Sequence, residues 1–365
     1  MRICILIALL SVGLILNAIP EQDLALYFTT KKSSVVGLTG TPYPAYSSDS
    51  GAGAGLQIIL FDASHDSLRH DPFDLKFDAS FTTNGERSFE LDYLKEYTEK
   101  EWKFAAQLEY KIMPFDFWGI GGNTSLAEKE SYTQNKQIAS FLLQKAFSAD
   151  LFFGPIIHYN SFQYDDREEN DMFANTIAGS EDSFSIFGTG FVFDYNKTDI
   201  KHYPTKGYRF INESVLYKSV NTKDYFFYSG VFDFRTYYPI FEKHVLCAQV
   251  LSQNTSDNPP FQLMPKQGGH SIMRGYPNGR FIDRQFIATQ IEYRSPIRMK
   301  LGLVLYTSLG NSYHNFSDFK ASNTHLSYGT GFRLNISKAK MLNMRGDIAF
   351  SKEGRSIYFK VGESF

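Results

Sequence analysis

The chain has 365 residues, including 34 Phe, 23 Tyr and 2 Trp, and this composition excludes a disordered or collagen-like polymer. The 37 Lys and Arg residues nearly balance the 39 Asp and Glu residues, giving a formal net charge of −2. We therefore expect no nucleic acid partner, because the chain has no overall basic field. The length permits two or three soluble domains or one large barrel.

The first residues have the three-part layout of a secretory signal peptide. Arg2 supplies the positive start, an apolar run covers 3–15, and Ala18 is the small residue before the expected cleavage point. We expect 1–18 to be the signal peptide and 19–32 to be a short periplasmic N-terminal segment. An uncleaved membrane anchor is the alternative, although the apolar run is short for a membrane span.

The rest of the chain contains no run of about 20 apolar residues, which excludes helical membrane proteins. Several segments instead alternate between apolar and polar residues, as a strand with two different faces requires. The clearest of these are 73–82, 102–112, 300–310 and 324–335. A soluble β-sandwich alternates in the same way. However, strands of about ten residues have the length that crosses a bilayer at a steep tilt.

Sixteen strands can be assigned in this way, and the long connections follow odd-numbered strands, with 196–205 as the exception. Outer-membrane barrels show this asymmetry, with long external loops and short periplasmic turns. The sequence therefore predicts an all-β fold, a 16-stranded antiparallel transmembrane outer-membrane β-barrel over 33–365. The predicted strands are 33–43, 52–62, 72–83, 87–98, 101–112, 132–147, 150–163, 184–195, 206–218, 225–238, 243–253, 284–296, 299–309, 324–335, 340–350 and 355–365.

Aromatic residues crowd the ends of the predicted strands, as in 115–118, 225–228 and 237–238. We expect these residues to form the girdles at the two membrane interfaces. In the last predicted strand, one face carries Phe359, Val361 and Phe365. This ending resembles the C-terminal insertion signal of barrels that the outer-membrane assembly machinery inserts.

The segment that follows predicted strand 11 carries a distinctive motif, made of Gly268, Gly269, Arg274, Gly275 and Tyr276. This motif closely resembles that of the BamA/TamA-like outer-membrane barrels, the bacterial surface antigen superfamily. In that family, Gly-Gly followed by Arg-Gly-aromatic forms the tip of a long external loop that folds back into the lumen. The resemblance implies that loop 254–283 does the same here and that the motif locks it in place.

An arginine inside a barrel needs a charged partner, since an unpaired buried cation is costly. The inward face of predicted strand 12 offers Glu292, so we expect Glu292 to pair with Arg274. The family usually supplies a second acid on strand 13, but this sequence has Ser308 there, two residues before Gly310. We therefore expect half of the family's countercharge and a loop that is held less tightly.

The resemblance implies a role in the insertion or translocation of proteins or lipids at the outer membrane of a Gram-negative bacterium, through a weak seam between the first and last strands. The segment 19–32 is much shorter than a polypeptide-transport-associated (POTRA) domain, which has about 70 residues. We therefore expect a member without such domains that works with a periplasmic or outer-membrane partner protein. Its other expected partners are outer-membrane lipid, lipopolysaccharide and, during biogenesis, the assembly machinery.

Three other functions stay open at this stage: a passive diffusion pore, a barrel-embedded hydrolase and a surface-adhesive structural protein. The stretch 269–273 lacks the last glycine of a Gly-x-Ser-x-Gly elbow, and the eight histidines show no zinc spacing. We therefore assign no catalytic residue, cofactor or metal site, and expect no enzyme. Charged residues of both signs on the lumen faces indicate a hydrated interior without a strong selectivity filter.

Overall fold

The computed structural model of the protein describes residues 25–29, 35–63, 73–97, 101–165, 183–220, 224–257, 259–338 and 340–365. The predicted signal peptide and most of the predicted 19–32 segment lie outside the described residues. Within that segment, Ala25–Thr29 form a short strand that pairs with the first residues of the barrel. The alternation pattern did not predict this strand.

The described residues form a closed barrel of sixteen antiparallel strands, which confirms the predicted fold class. Each strand pairs with its neighbour in the chain, and the last strand returns to the first. The strands are Val35–Ser47 (β1), Gly51–Asp62 (β2), Phe73–Thr82 (β3), Arg87–Tyr97 (β4), Trp102–Phe117 (β5), Glu130–Ala146 (β6), Leu151–Asp165 (β7), Ser183–Asn196 (β8), Gly207–Ser219 (β9), Phe226–Ile240 (β10), His244–Thr255 (β11), Gln285–Arg294 (β12), Leu301–Tyr313 (β13), His325–Ser337 (β14), Leu342–Ser351 (β15) and Gly354–Val361 (β16).

Side chains alternate between the outside and the inside of this barrel along each strand. On β13, Leu303 and Leu305 are exposed on the outer face, whereas Val304 between them is fully buried. On β12, Ile291 is exposed and the adjacent Glu292 is fully buried. The outward positions on these strands are therefore apolar, as the lipid-facing surface of an outer-membrane barrel requires, whereas the inward positions hold charged residues such as Glu292 and apolar ones such as Val304. No described helix has the length and apolar character needed to span a membrane.

The expected aromatic girdles are only partly correct. Phe226 and Tyr238 are exposed on the outer face, but Phe115, Phe117 and Phe227 are buried inside the barrel. Period-two alternation explains the difference, because a run of consecutive aromatic residues must send every second ring inward. The inward rings belong to an apolar cluster on β5 to β10, so this side of the lumen is lined by apolar side chains as well as charged ones.

The barrel closes weakly where β16 meets β1. Only two residue pairs join these strands in the described part of the chain, Tyr358 with Ser47 and Phe359 with Tyr46. By contrast, β15 and β16 share eight residue pairs, and β1 and β2 share twelve. Because sheet stability grows with the number of paired residues, this seam is the weakest junction of the barrel.

Candidate functional site in the barrel interior

Most of the connection between β11 and β12, residues 259–283, lies inside the barrel. At its start, the ring of Phe261 is fully buried, with its centroid 5.1 Å from that of Phe117 on β5. Further along, Arg274 forms an ion pair with Asp347 on β15. The contacted strands stand on opposite sides of the ring of sixteen, so the loop crosses the interior.

Three glycines shape the tip of this loop. Gly268, Gly269 and Gly275 have φ angles of +107°, +98° and +107°, in a region that glycine occupies readily. A Cβ on Gly268 would lie 2.0 Å from the carbonyl oxygen of Pro277, and a Cβ on Gly275 would lie 3.0 Å from the backbone of Phe350. The tip therefore packs against itself and against β15 only with glycine at these positions.

Arg274 lies at the centre of the interior contacts. Its guanidinium donates to Glu292 on β12 at 2.9 Å and to Asp347 on β15 at 3.0 Å, and all three side chains are fully buried. The guanidinium carbon also lies 3.4 Å from the ring centroid of Tyr306 on β13. Burial opposes the charge, but the carboxylates of Asp347 and Glu292 outweigh it and raise the pKa of Arg274.

Three further arginines join the same cluster. Arg294 donates to Glu292 at 2.8 Å, Arg345 donates to Asp347 at 2.9 Å, and Arg333 donates to Asp347 at 2.7 Å. Glu363, just after β16, accepts a hydrogen bond from Arg333 at 2.5 Å. We call these seven residues the arginine cluster: Arg274, Arg294, Arg333, Arg345, Glu292, Asp347 and Glu363. Its four cations and three carboxylates hold one another in a region without bulk water.

The loop tip also contacts the strands near the seam. The amide of Gly275 donates to the hydroxyl of Tyr358 at 3.1 Å, and the hydroxyl of Ser351 donates to the carbonyl of Gly275 at 3.0 Å. The hydroxyl of Tyr276 donates to the carbonyl of Leu326 on β14 at 3.3 Å. The motif residues 274–276 therefore contact β12, β14, β15 and β16 together.

The structure brings Arg274 and Glu292 into the contact that the sequence predicts, but the second countercharge differs. Asp347 on β15 supplies the acid that was expected to be missing, so the expectation of half the countercharge is wrong. Ser308 is buried, and its hydroxyl has no hydrogen-bond partner among the described residues. A Cβ on Gly310 would lie 2.8 Å from the sulfur of Met273, so this glycine makes room for the loop.

The end of the chain departs from the predicted strand 355–365. β16 ends at Val361, and Gly362 turns with a φ of +89°. The hydroxyl of Ser364 then donates to Glu292 at 3.3 Å, and Phe365 is buried inside the barrel. The strand ends early because the last residues form hydrogen bonds with the charged groups of the arginine cluster, which hold these residues inside the barrel.

The three residues of the predicted insertion signal therefore lie in different places. Phe359 lies near the seam, with its ring edge toward that of Tyr46 at a centroid distance of 6.4 Å. Val361 packs against an apolar cluster that includes Met344. Phe365 stacks with Tyr237 at 6.4 Å. Phe359 and Val361 share a face of β16, but Phe365 lies beyond the end of the strand, and the insertion role of this ending stays a prediction.

Sequence reasoning missed two loop residues that anchor the structure. Arg280 donates to Glu353 at 2.8 Å and to the hydroxyl and carbonyl oxygens of Thr124, each at 2.8 Å. Phe281 stacks on the ring of His325 at 4.0 Å. A second arginine six residues after Arg274 was a signal in the sequence, but its partners come from distant loops that no local pattern identifies.

The arrangement holds a loop in place, and it shows no centre for a bound ion. Among the described residues, no three His, Cys, Asp or Glu side chains come together as a metal site. The carboxylates of the arginine cluster already accept hydrogen bonds from guanidinium groups, so they have little capacity left for a ligand. The chemistry of the cluster is therefore structural: it fixes the loop tip to the wall.

Comparison with known proteins supports the same interpretation. The Omp85 superfamily domain matches residues 74–365. Among solved structures, BamA from Haemophilus ducreyi lacking POTRA domains 1–3 has a TM-score of 0.59 at 14% identity, covering 98% of this chain and 78% of that chain. CdiB from Acinetobacter baumannii has a TM-score of 0.57 at 10% identity, covering 90% and 60%. CdiB from Escherichia coli has a TM-score of 0.52 at 9% identity, covering 95% and 68%.

At these identities the structural matches show the fold, and this chain spans only 60% of the length of the Acinetobacter CdiB. No protein with a curated description matches the chain. The family match covers most of the chain, including every strand from β4 to β16. It confirms the resemblance that the loop motif indicated: the chain belongs to the Omp85 superfamily.

Proposed function

We propose that this barrel inserts or translocates proteins or lipids at the outer membrane of a Gram-negative bacterium by opening its seam between β1 and β16. The observation that carries the proposal is the seam itself, with two residue pairs where β1 and β2 have twelve. A sheet edge in lipid is costly unless it is paired, so a weak seam can open only toward a strand or chain that replaces the lost pairing.

The sequence of β1 supports this role for the stretch of its edge between the pairs with Ala25–Thr29 and the two pairs with β16. Pro42 and Pro44 lie in the middle of the strand, before the two residues that pair with β16. Proline has no amide hydrogen to donate, and in sheets it is found on edge strands. A strand that closed the barrel permanently along its whole length would be a poor place for two prolines.

The arginine cluster stabilises the closed state of this seam. Arg274 holds the loop tip, and Glu363 holds the residues that follow β16, so the loop and the end of the chain share one set of charges. We propose that a client or a partner protein displaces these contacts when the barrel opens. A partner is part of the proposal as the component that would bring the client to the seam.

A disulfide across the seam tests the opening directly. Tyr46 and Phe359 are direct register partners, so cysteines at both positions can lock β1 to β16. We expect cells that carry Tyr46→Cys with Phe359→Cys, in a Cys247→Ala background, to lose outer-membrane proteins or lipids as a deletion strain does. A reductant should restore the normal composition, measured by mass spectrometry of isolated outer membranes.

The matched control is a disulfide between two strands, β2 and β3, that are paired along most of their length and are not expected to separate. Leu56 and Ala79 are register partners on the outer faces of β2 and β3. Leu56→Cys with Ala79→Cys should leave the composition of the outer membrane normal in oxidising medium. The deletion strain is expected to have an abnormal outer-membrane composition. If the disulfide across the seam leaves the composition as normal as this control does, the barrel does not act through its seam.

The partner part of the proposal needs a separate experiment. The tagged protein should be purified from native membranes after mild crosslinking, alongside an unrelated barrel of similar abundance. We expect a periplasmic or outer-membrane protein to copurify reproducibly with this chain only. If repeated purifications yield no such protein, the partner is excluded from the proposal, and the opening of the seam is unaffected by this result.

A further inference from the structure

Away from the loop, the lumen wall carries a row of polar side chains that the proposed function does not use. Ser140 on β6 and His158 on β7 are direct register partners and both face inward. The hydroxyl oxygen of Ser140 lies 2.7 Å from Nδ1 of His158, a hydrogen-bond distance. The other ring nitrogen, Nε2, lies 3.4 Å from Oε1 of Glu213 on β9.

Two glycines on the strand between them allow this contact. Gly188 and Gly190 on β8 stand between β7 and β9, with Gly188 pairing with His158. A Cβ on Gly188 would lie 2.5 Å from the ring of Tyr217 on β9, so no side chain fits there. His158 therefore reaches across β8 toward Glu213.

The two ring nitrogens of His158 differ: Nδ1 is hydrogen-bonded to Ser140, and Nε2 has no hydrogen bond among the described residues. Nε2 of His158 is buried and makes no hydrogen bond within the described residues, and Glu213 is the carboxylate beside it. With the ring proton on Nε2, facing Glu213, Nδ1 is free to accept the proton of Ser140. This is the arrangement of nucleophile, base and orienting acid that activates a serine.

The three side chains open onto one cavity of about 440 Å³. Its wall also includes Leu142 and Ile156, which give it an apolar side. Gln107 pairs with Ser140 on the other flank, and its amide nitrogen now donates to Glu90 at 3.1 Å. Because strand amides are used in the sheet ladder, a side-chain amide such as that of Gln107 is the donor available to an oxyanion.

We propose that Ser140, His158 and Glu213 form a lumenal esterase site for carboxylic esters with a small apolar acyl group. Ser140 Oγ attacks the carbonyl carbon while its proton moves to Nδ1 of His158. The bond to the alcohol then breaks, and the alkoxide takes that proton. Water repeats the sequence: it adds to the acyl-serine, His158 takes and returns the proton, and the carboxylic acid leaves.

Two probes test this site on the purified full-length protein in detergent micelles: a fluorophosphonate, and hydrolysis of p-nitrophenyl butyrate. We expect the fluorophosphonate to modify Ser140, as located by peptide mass spectrometry. Ser140→Ala and His158→Gln should each lower labelling and hydrolysis at least tenfold. Glu213 acts by orienting the ring, so Glu213→Gln should slow both reactions and Glu213→Asp should restore part of the rate.

The control is Ser308→Ala, which removes another buried lumenal hydroxyl, one that has no hydrogen-bond partner among the described residues. It should react at the rate of the unaltered protein. Labelling at another residue, or hydrolysis that Ser140→Ala leaves unchanged in a folded barrel, overturns the proposal. The folded state of each variant is checked by its shifted migration in unheated gel samples, so a loss of activity is not mistaken for a loss of fold.

Discussion

The amide of Gly275 donates a hydrogen bond of 3.1 Å to the hydroxyl of Tyr358, the residue at which β16 pairs with Ser47 of β1. The glycine belongs to the loop tip and the tyrosine to the seam. Both groups are buried, so water does not replace either partner when the bond breaks. The loop tip and the seam therefore move together, because moving one without the other breaks this hydrogen bond at a measurable cost in free energy.

Tyr358→Phe removes only the acceptor in this bond. A buried amide left without a partner costs about 1–3 kcal/mol, so we expect a lower urea midpoint and faster protease cleavage within 256–284. The matched control is Tyr328→Phe, because Tyr328 is an exposed tyrosine on the outer face. Equal behaviour of the two variants would mean that the hydrogen bond does not couple the loop to the seam.

Arg274→Ala removes the centre of the arginine cluster. Two buried carboxylates, Glu292 and Asp347, lose a partner, and breaking such a pair costs about 3–5 kcal/mol. In planar bilayers we expect the unaltered barrel to be mostly closed and the variant to show frequent large openings. Arg284→Ala is the control, since Arg284 lies in the same loop and bonds to Asn315 near the surface. A steady, large conductance that Arg274→Ala hardly changes would identify a passive pore instead.

Asp347→Asn tests which acid balances the cluster. Asp347 accepts hydrogen bonds from three arginines, so its neutralisation should lower the stability by about 3 kcal/mol or more. Adding Ser308→Asp, which places an acid on β13, should recover part of this loss. Urea midpoints of the single and double variants give the comparison. A double variant less stable than Asp347→Asn alone would show that charge count does not govern the cluster.

The fold was largely predictable because period-two alternation is a local property. The segment 73–82 alternates without exception, and β3 occupies Phe73–Thr82. Likewise, the contact between Arg274 and Glu292 follows from the inward parity of Glu292 and the need of a buried cation for a partner. The sequence alone is therefore sufficient to predict strand positions and the face that each residue occupies, because both depend on residues that are neighbours in the chain.

The remaining features depend on contacts between residues far apart in the chain. Asp347 and Arg274 are separated by 73 positions, and no alternation rule pairs β15 with the tip of the loop. Gly362 ends β16 because Glu363 and Ser364 are drawn to the interior, although alternation alone extends the strand to Phe365. Parity assigns a residue to a face, but it does not identify the partner on that face.

Lys266 offers a test by pH. It lies in the loop with its nitrogen 4.7 Å from the ring centroid of Phe115. The ring favours the cation, but burial, followed by the charge of Lys136, outweighs it and lowers the pKa of Lys266 to about 7. The unfolded chain has the ordinary value of 10.5, so unfolding takes up a proton between these two values. Stability should therefore rise as the pH increases from 7 to 10.5.

Lys266→Met removes that dependence and keeps the length of the side chain. We expect the variant to be more stable than the unaltered protein at pH 7, by about 1–3 kcal/mol, and to approach it near pH 10. Urea midpoints at both pH values measure this difference. The control is Lys129→Met, because Lys129 lies near the surface and pairs with Asp116 at 3.1 Å. If Lys266→Met keeps the same slope with pH as the unaltered protein, the buried amine is charged throughout this range and another group accounts for the pH dependence.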